Sequence, residues 1–396
     1  MEIRPIKPEE KIIKSKIQSI AFMYSQDFSQ AEKNPEAFGK DYETTRAAFD
    51  DNGKMCSCLE LIPFTVQFDG HGVPMGGIGG VASLPEEREK RYIRHIFKAV
   101  MAEMYEKGYV FSYLYPFSHA YYRKFGYELN MRLRSYTIPL TALKAFEQRG
   151  NLSLITGRDD RGPIISVYER FITPLNLVVH RTKRLWDAFF EKDPYKDNVY
   201  LYLWSDTQGE PGGYVQFRPE KQPNQKCTLH VQELVWLNDT ALSGILSFMS
   251  GLTAQAEQIV WRAPDFVELL PLFQEPYDIK QEILTFGMNR IVNAAKALEA
   301  MHVPMEGGEV TLEVRDDFFE PNNGIYTLTW EQGQKKVARS SKTPDMTCDV
   351  QTLSQLVTGF ASPGLLKGFG RLKIHNNKDS IQKLFIPKRL YINNYF

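Results

Sequence analysis

The sequence predicts an α+β protein of three successive units, and three observations carry that prediction. With 396 residues the chain exceeds what one hydrophobic core usually serves. Its first part sets long apolar–polar alternations, which read as antiparallel strands, beside a long helical pattern, which implies a mixed sheet with helices on its faces. That order returns once in mid-chain, and the pattern changes again from Phe286. The units are placed at residues 1–150, 151–284 and 285–396.

In the first unit, Ile13 to Phe22 reads as a helix, with Asp27 and Phe28 in the loop after it. Arg46 to Asp51 is the turn into a strand, and Lys54 to Phe68 alternates as one strand of an antiparallel pair. Asp69 through Pro74 supply the hairpin tip, because glycines and a proline between two apolar runs favour a turn. The return strand, Met75 to Leu84, carries four glycines before Val81, so a ligand or a crowding helix comes close to its backbone. Pro85 ends it, and a helix is expected from Glu86 to Lys107, with Glu86 and Glu87 suited to its positive end. A strand at Tyr109 to Leu114, a short helix at His119 to Phe125 and a strand at Tyr127 to Ile138 close the unit.

After a polar turn from Gly150 to Gly162, helices are expected at Ile164 to Phe171 and Lys183 to Phe190. Strands follow at Asn198 to Trp204, Gly213 to Arg218 and Cys227 to Trp236, then a helix at Asp239 to Gly251 and a short strand at Ile259 to Trp261. The third unit is read as a helix from Phe286 to Met301, strands at 309–315 and 324–330, a helix at 350–358, and an aromatic tail ending in YINNYF.

Composition narrows the function classes. The 48 basic residues balance 48 acidic ones, which argues against a general nucleic-acid binder. Four cysteines, at 56, 58, 227 and 348, offer no second close pair, so no metal site is expected and Cys56 and Cys58 read as strand residues. The N-terminus lacks the apolar core of a signal peptide and no segment has the length of a membrane span. A cytoplasmic enzyme or binding protein is the resulting expectation.

The segment after Pro85 is where chemistry concentrates. Arg88, Lys90, Arg91 and Arg94 cluster at a helix start, and helix-terminal amides supplemented by basic side chains suit a pyrophosphate. VASLPEEREKRYIRHIF resembles the acetyl-CoA-binding segment of GCN5-related N-acetyltransferases (GNATs), where a strand enters a helix through an Arg/Gln-x-x-Gly-x-Gly/Ala turn. Arg88 falls on the first basic position, Arg91 on the signature glycine and Ile93 on the second small residue. Downstream, Tyr122-Arg123-Lys124-Phe125-Gly126-Tyr127 resembles the Tyr-x-x-Phe-Gly-Phe/Tyr segment of one branch of that superfamily. The layout of the whole chain is similar to the Eis (enhanced intracellular survival) group: an acetyltransferase lobe, a degenerate second lobe and a sterol-carrier-like α+β domain. Leu237-Asn238-Asp239-Thr240-Ala241 stands where the second lobe's phosphate turn would lie, without an arginine-rich equivalent, so acetyl-CoA is assigned to the first lobe.

The resemblance implies direct transfer, in which an amine attacks the thioester carbonyl of the cosubstrate acetyl-CoA. It places the acid on Tyr122, whose neighbour Tyr121 competes for the role, and the base on the terminal carboxylate of Phe396. An aromatic tail is suited to docking, for catalysis or for packing alone. Val81, Ala82 and Ser83 would pair with the pantetheine amides, the Arg88 side chain and the backbone of Glu89, Lys90, Arg91, Tyr92, Ile93 and Arg94 would hold the pyrophosphate, and Phe117 and Ser118 would flank the pantetheine. Tyr24, Asp27 and Phe28 are candidates for a cationic acceptor pocket, and His119 for proton transfer or packing. The implied acceptor is a small-molecule amine such as an aminoglycoside, or a lysyl peptide, and the implied assembly is a homohexamer. The competing reading is a noncatalytic protein that binds CoA or an apolar ligand.

Overall fold

In the first lobe β1 (Glu2–Pro5), β2 (Thr45–Phe49), β3 (Met55–Phe68) and β4 (His71–Ser83) run antiparallel, each paired with the next. The computed structural model describes residues 1–29, 33, 41–157, 159–222 and 226–396. The β3–β4 hairpin turns on Asp69 and Gly70 alone, both at positive φ, a two-residue turn that matches the twist of the strands. The expected six-residue tip is thus shorter, because His71 to Pro74 already pair with β3. Helix Lys11–Phe22 packs on one region of this hairpin, and helix Tyr92–Glu106 covers another. The latter buries Ile93, Ile96, Phe97, Val100, Met101 and Met104, a stripe of helical period, each such side chain contributing about 1.5–3 kcal/mol when fully buried.

Next come β5 (Phe111–Leu114), parallel to β4, the short helix His119–Arg123, and β6 (Glu128–Pro139). The second lobe holds β7 (Asn151–Ile155), helices Gly162–Ile172 and Lys183–Phe190, β8 (Tyr200–Ser205), β9 (Pro211–Lys221), β10 (Cys227–Trp236), helix Asp239–Ser250 and β11 (Ala256–Pro264). β7 lies inside the stretch read as a polar turn; it is the outermost strand, so its residues stay partly exposed.

One expectation is overturned at 286–301, read as a single helix. β12 (Lys280–Ile291) runs there instead, and only Ala294–Ala300 is helical. β12 inserts between β5 and β6, giving a continuous sheet ordered β1-β2-β3-β4-β5-β12-β6-β11-β10-β9-β8-β7. From Gly287 to Ile291 every position is buried, so the alternation that announces a strand is absent from that part of the sequence.

The third domain is a five-stranded sheet of β13 (Gly308–Arg315), β14 (Gly324–Glu331), β15 (Gln334–Arg339), β16 (Met346–Asp349) and β17 (Leu372–Ile374). Its helix Val350–Val357 lies against β6 and β12, where Ser354 Oγ accepts from the Ile291 amide at 3.0 Å and Asn130 Nδ2 donates to Thr358 Oγ1 at 2.6 Å. Arg290 of β12 and Asp316 pair at 2.5 Å with no exposure on either side chain, joining this domain to the central sheet. Among the described residues no helix is long and apolar enough to cross a membrane, and no group of three or more potential ligands could hold a metal ion. Cys56 and Cys58 are buried in β3, as their strand reading required, and burial pushes the Cys58 thiol up to about 12.

Candidate active site

Sheet pairing creates the site. β5 follows β4 only from Met75↔Phe111 to Ile78↔Leu114, while β4 continues to Ser83. Gly79, Ala82 and Ser83 therefore keep β3 on one side, and among the described residues Gly79 to Ser83 have no strand partner on the other, which is where Val81, Ala82 and Ser83 present backbone groups. A register shift between Cys58 and Glu60 bends the strand at that point, and Gly80 takes φ +54, a conformation open to glycine at low cost. Around the bend Lys14, almost fully buried, pairs with Glu60 at 2.6 Å, and Gln18 Nε2 donates to Glu60 at 3.1 Å and to the Gly80 carbonyl at 3.2 Å.

The chain leaving β4 does not enter the helix at Glu86 as expected. Pro85–Glu87 form a 3-10 turn, and the helix starts at Tyr92. Glu87 is buried and salt-bridged to Lys54 at 3.0 Å and Lys90 at 2.8 Å, so its carboxylate is spent on the turn rather than on a helix terminus. Glu89 and Arg91 both sit at positive φ, 71 and 63. Arg91 thus adopts the left-handed conformation that a glycine at this signature position would supply without steric cost. Among the described residues no side chain caps the helix that follows, which leaves the first-turn amides of Tyr92, Ile93 and Arg94 at the turn. Arg88, Lys90 and Arg91 are exposed beside it, whereas Ile93 is buried and the Arg94 guanidinium lies over Phe318 at 5.2 Å. First-turn amides without a side-chain cap and two exposed arginines are suited to a pyrophosphate.

The aromatic motif lies in the segment after β5. Ser118 accepts from the Tyr121 amide at 3.3 Å and caps helix His119–Arg123, so its hydroxyl is committed to the fold. Phe117 is exposed and meets Tyr121 and Tyr122 at centroid distances of 5.2 and 5.4 Å. Tyr122 is buried beneath them, and burial, with smaller contributions from Tyr121 and Tyr127, raises its phenol above the ordinary range. Tyr121 is half-buried and also raised by burial. Burial, then Arg123, lowers His119. Gly126 closes the motif at φ +82, where an added Cβ would meet the Arg290 guanidinium, so both conformation and space demand glycine.

The C-terminal tail enters the same opening. A Cβ built on Gly77 would stand 2.7 Å from the Phe396 ring, and one on Gly79 would stand 3.8 Å from the Phe396 carboxyl carbon. The glycines of β4 thus make room for the tail on one face, while Gly76 faces Met104 on the other. Phe396 also meets Phe64 and Tyr115 at 4.9 and 5.2 Å, and the Tyr115 hydroxyl donates to the Asn394 carbonyl at 2.5 Å. Sequence reasoning missed Tyr115 and the seat formed by Gly77 and Gly79; the run of small residues in β4 was the only signal for it. Tyr24 is exposed, the Asp27 carboxylate accepts from the Ser29 amide at 2.8 Å, and Lys16 lies 5.8 Å from the Phe28 ring.

A split in the sheet followed by a helix, present in the first lobe and again in the second, with a separate sheet-and-helix domain after them, defines a class: two acetyltransferase folds with a third domain appended. Family profiles agree. The acetyltransferase (GNAT) domain matches residues 2–130, a second acetyltransferase (GNAT) domain matches 177–291, and the sterol carrier protein domain matches 294–392. The chain belongs to the GNAT acetyltransferases, in the Eis-like arrangement with a C-terminal sterol carrier domain. A GCN5-related N-acetyltransferase from Anabaena variabilis shares the fold over 100% of both chains, at 23% identity and a TM-score of 0.86. A probable N-acyltransferase from Enterococcus faecalis does so at 24% identity and 0.87, covering 100% of this chain and 99% of its own. Eis1 from Mycobacterium abscessus aligns over 100% of both chains at 19% and 0.81. No curated protein matches the chain.

Proposed function

We propose that the protein is a cytoplasmic, acetyl-CoA-dependent N-acetyltransferase that acetylates a primary amine by direct attack. The observation that carries this reading is the seat of the Phe396 carboxyl beside Gly79, where β4 has lost β5 as a partner. Acetyl-CoA would supply the acetyl group as a thioester. The free β4 edge at Val81, Ala82 and Ser83 is suited to its pantetheine amides, and the turn from Arg88 to Arg94 to its pyrophosphate. In this reading the Phe396 carboxylate takes the proton of the attacking amine, and the Tyr122 hydroxyl protonates the departing thiolate as the carbon–sulfur bond breaks. A phenol whose pKa is raised keeps its proton at neutral pH and remains a donor. The acceptor is a cationic small-molecule amine such as an aminoglycoside, or a lysine side chain, and the working assembly a homohexamer.

The test is thiol release from acetyl-CoA across polyamine, aminoglycoside and lysyl-peptide acceptors. Transfer to at least one is expected; no transfer together with no saturable CoA binding would refute the enzyme. Tyr122→Phe should lower kcat by roughly 10²–10⁴-fold with little change in acetyl-CoA affinity. Equal turnover in parent and variant would remove the hydroxyl from the mechanism. Sedimentation of the purified chain as a monomer would remove the hexamer.

A further inference from the structure

The second lobe opens its sheet as the first does: β10 pairs with β11 only as far as Val231↔Trp261, and a register shift precedes Glu233. That opening is filled by a polar cluster which ends on the tail. Glu233 and Arg181, each side chain 5% exposed, form an ion pair. Tyr214 donates to Glu233, and the rings of Tyr168, Trp186 and Phe189 surround the guanidinium at 4.4 to 4.9 Å. Asn393 Nδ2 donates to Glu233 at 3.1 Å, its Oδ1 accepts from the Tyr168 hydroxyl at 3.2 Å, and Arg181 Nε donates to Asn394 Oδ1 at 3.3 Å. Upstream, Leu390 bridges to Asn176, whose carbonyl accepts from the Tyr391 amide at 3.0 Å.

We propose that Arg181 and Glu233 are positioning residues for catalysis: the second lobe grips Asn393 and Asn394 and thereby sets where the terminal carboxylate stands in the first lobe. The inference rests on the reading of that carboxylate as the proton acceptor. Two side chains held by a buried ion pair fix the backbone immediately before Tyr395 and Phe396, and Tyr115 fixes the Asn394 carbonyl from the first lobe. A terminal residue otherwise frays. Its reach into the site is therefore determined by a cluster that itself never needs to touch substrate. The lobe that lacks an arginine-rich phosphate turn thus has a task of its own.

The test is N393D in the full chain. It removes the donor to Glu233 and sets a like charge against it. Phe396 should be released by carboxypeptidase A at least about 10-fold faster, and kcat should fall by about 10- to 100-fold, in the range caused by small misplacement of a reacting group. KM for acetyl-CoA should not change. Formate should restore part of the lost rate by replacing the displaced carboxylate, and N393D/E233Q should restore both readouts, because donor and acceptor are then exchanged. Parental carboxypeptidase release and parental kcat in N393D overturn the proposal. So does a loss of activity that E233Q and formate leave untouched while the unfolding midpoint falls, since the cluster would then be structural only. The carboxylate's own role is read separately, from a chain extended past Phe396. If that extension leaves kcat intact while N393D frees the tail, the base reading fails and the grip on the tail stands.

Discussion

In the first lobe residues 84 to 91 connect β4 to its helix, whereas in the second only Leu237 and Asn238 separate β10 from helix Asp239–Ser250. The longer connection bends through positive φ at Glu89 and Arg91 and reaches the helix without a cap. The shorter one is closed by Asn238, which accepts from the Ala241 amide at 2.9 Å and so uses a donor that an anion would need. In both lobes the sheet splits just before the connection, yet the first opening receives a chain terminus and the second a buried ion pair. A split in the sheet is therefore not by itself suited to an anion. What separates the two lobes is whether the helix start is left uncapped and whether the opening is filled by a buried ion pair.

The anchors of the two lobes give the largest effect by which this comparison can be broken. Arg290–Asp316 and Arg181–Glu233 are both buried arginine–carboxylate pairs, but Asp316 also accepts from the Phe318 and Phe319 amides and from Asn322. Asp316→Ala would strand Arg290 without charge compensation and should cost about 3–5 kcal/mol. Its unfolding midpoint should fall well below that of N393D, whose effect is on turnover. Equal midpoints for the two variants would show that the pairs play the same part.

A middle-sized effect separates the two helix starts. Asn238→Ala should destabilise by about 1 kcal/mol, the ordinary value of a lost cap, while acetyl-CoA KM stays at the parental value. A raised KM would mean that the second lobe takes part in cofactor binding after all.

Much of this contrast was legible in the sequence. Cys227–Trp236 and Lys183–Phe190 have the expected boundaries, because alternation and helical period are strong there. The lack of an arginine-rich turn at 237–241 was equally plain. Three features were not. β12 is buried without interruption from Gly287 to Ile291, and that part shows no period. The helix start moved from Glu86 to Tyr92 because a positive φ at a non-glycine residue has no local signature. The grip on the tail joins Asn393 to a residue 160 positions away, through side-chain types that are ordinary on any surface. Local pattern reports the elements; a pairing across domains follows only from their assembly.

The smallest effect sharpens the comparison at Arg91. A left-handed conformation costs an ordinary residue about 1–2 kcal/mol, while glycine gives back about 0.5–1 kcal/mol through its freer unfolded chain. Arg91→Gly should therefore stabilise the protein by between about 0 and 1.5 kcal/mol, seen as a small rise in Tm. Cofactor affinity separates two roles for the arginine. If Arg91 only tolerates the bend, Kd for CoA should be unchanged or tighter, because the side chain no longer crowds the turn. If its guanidinium contributes charge to the pyrophosphate, Kd should weaken, and the weakening should shrink as salt screens the exposed charge. Exposure of Arg91 at an uncapped helix start favours the second outcome. In that case this chain has replaced a glycine's conformational freedom by charge, at a turn that keeps the geometry of the glycine.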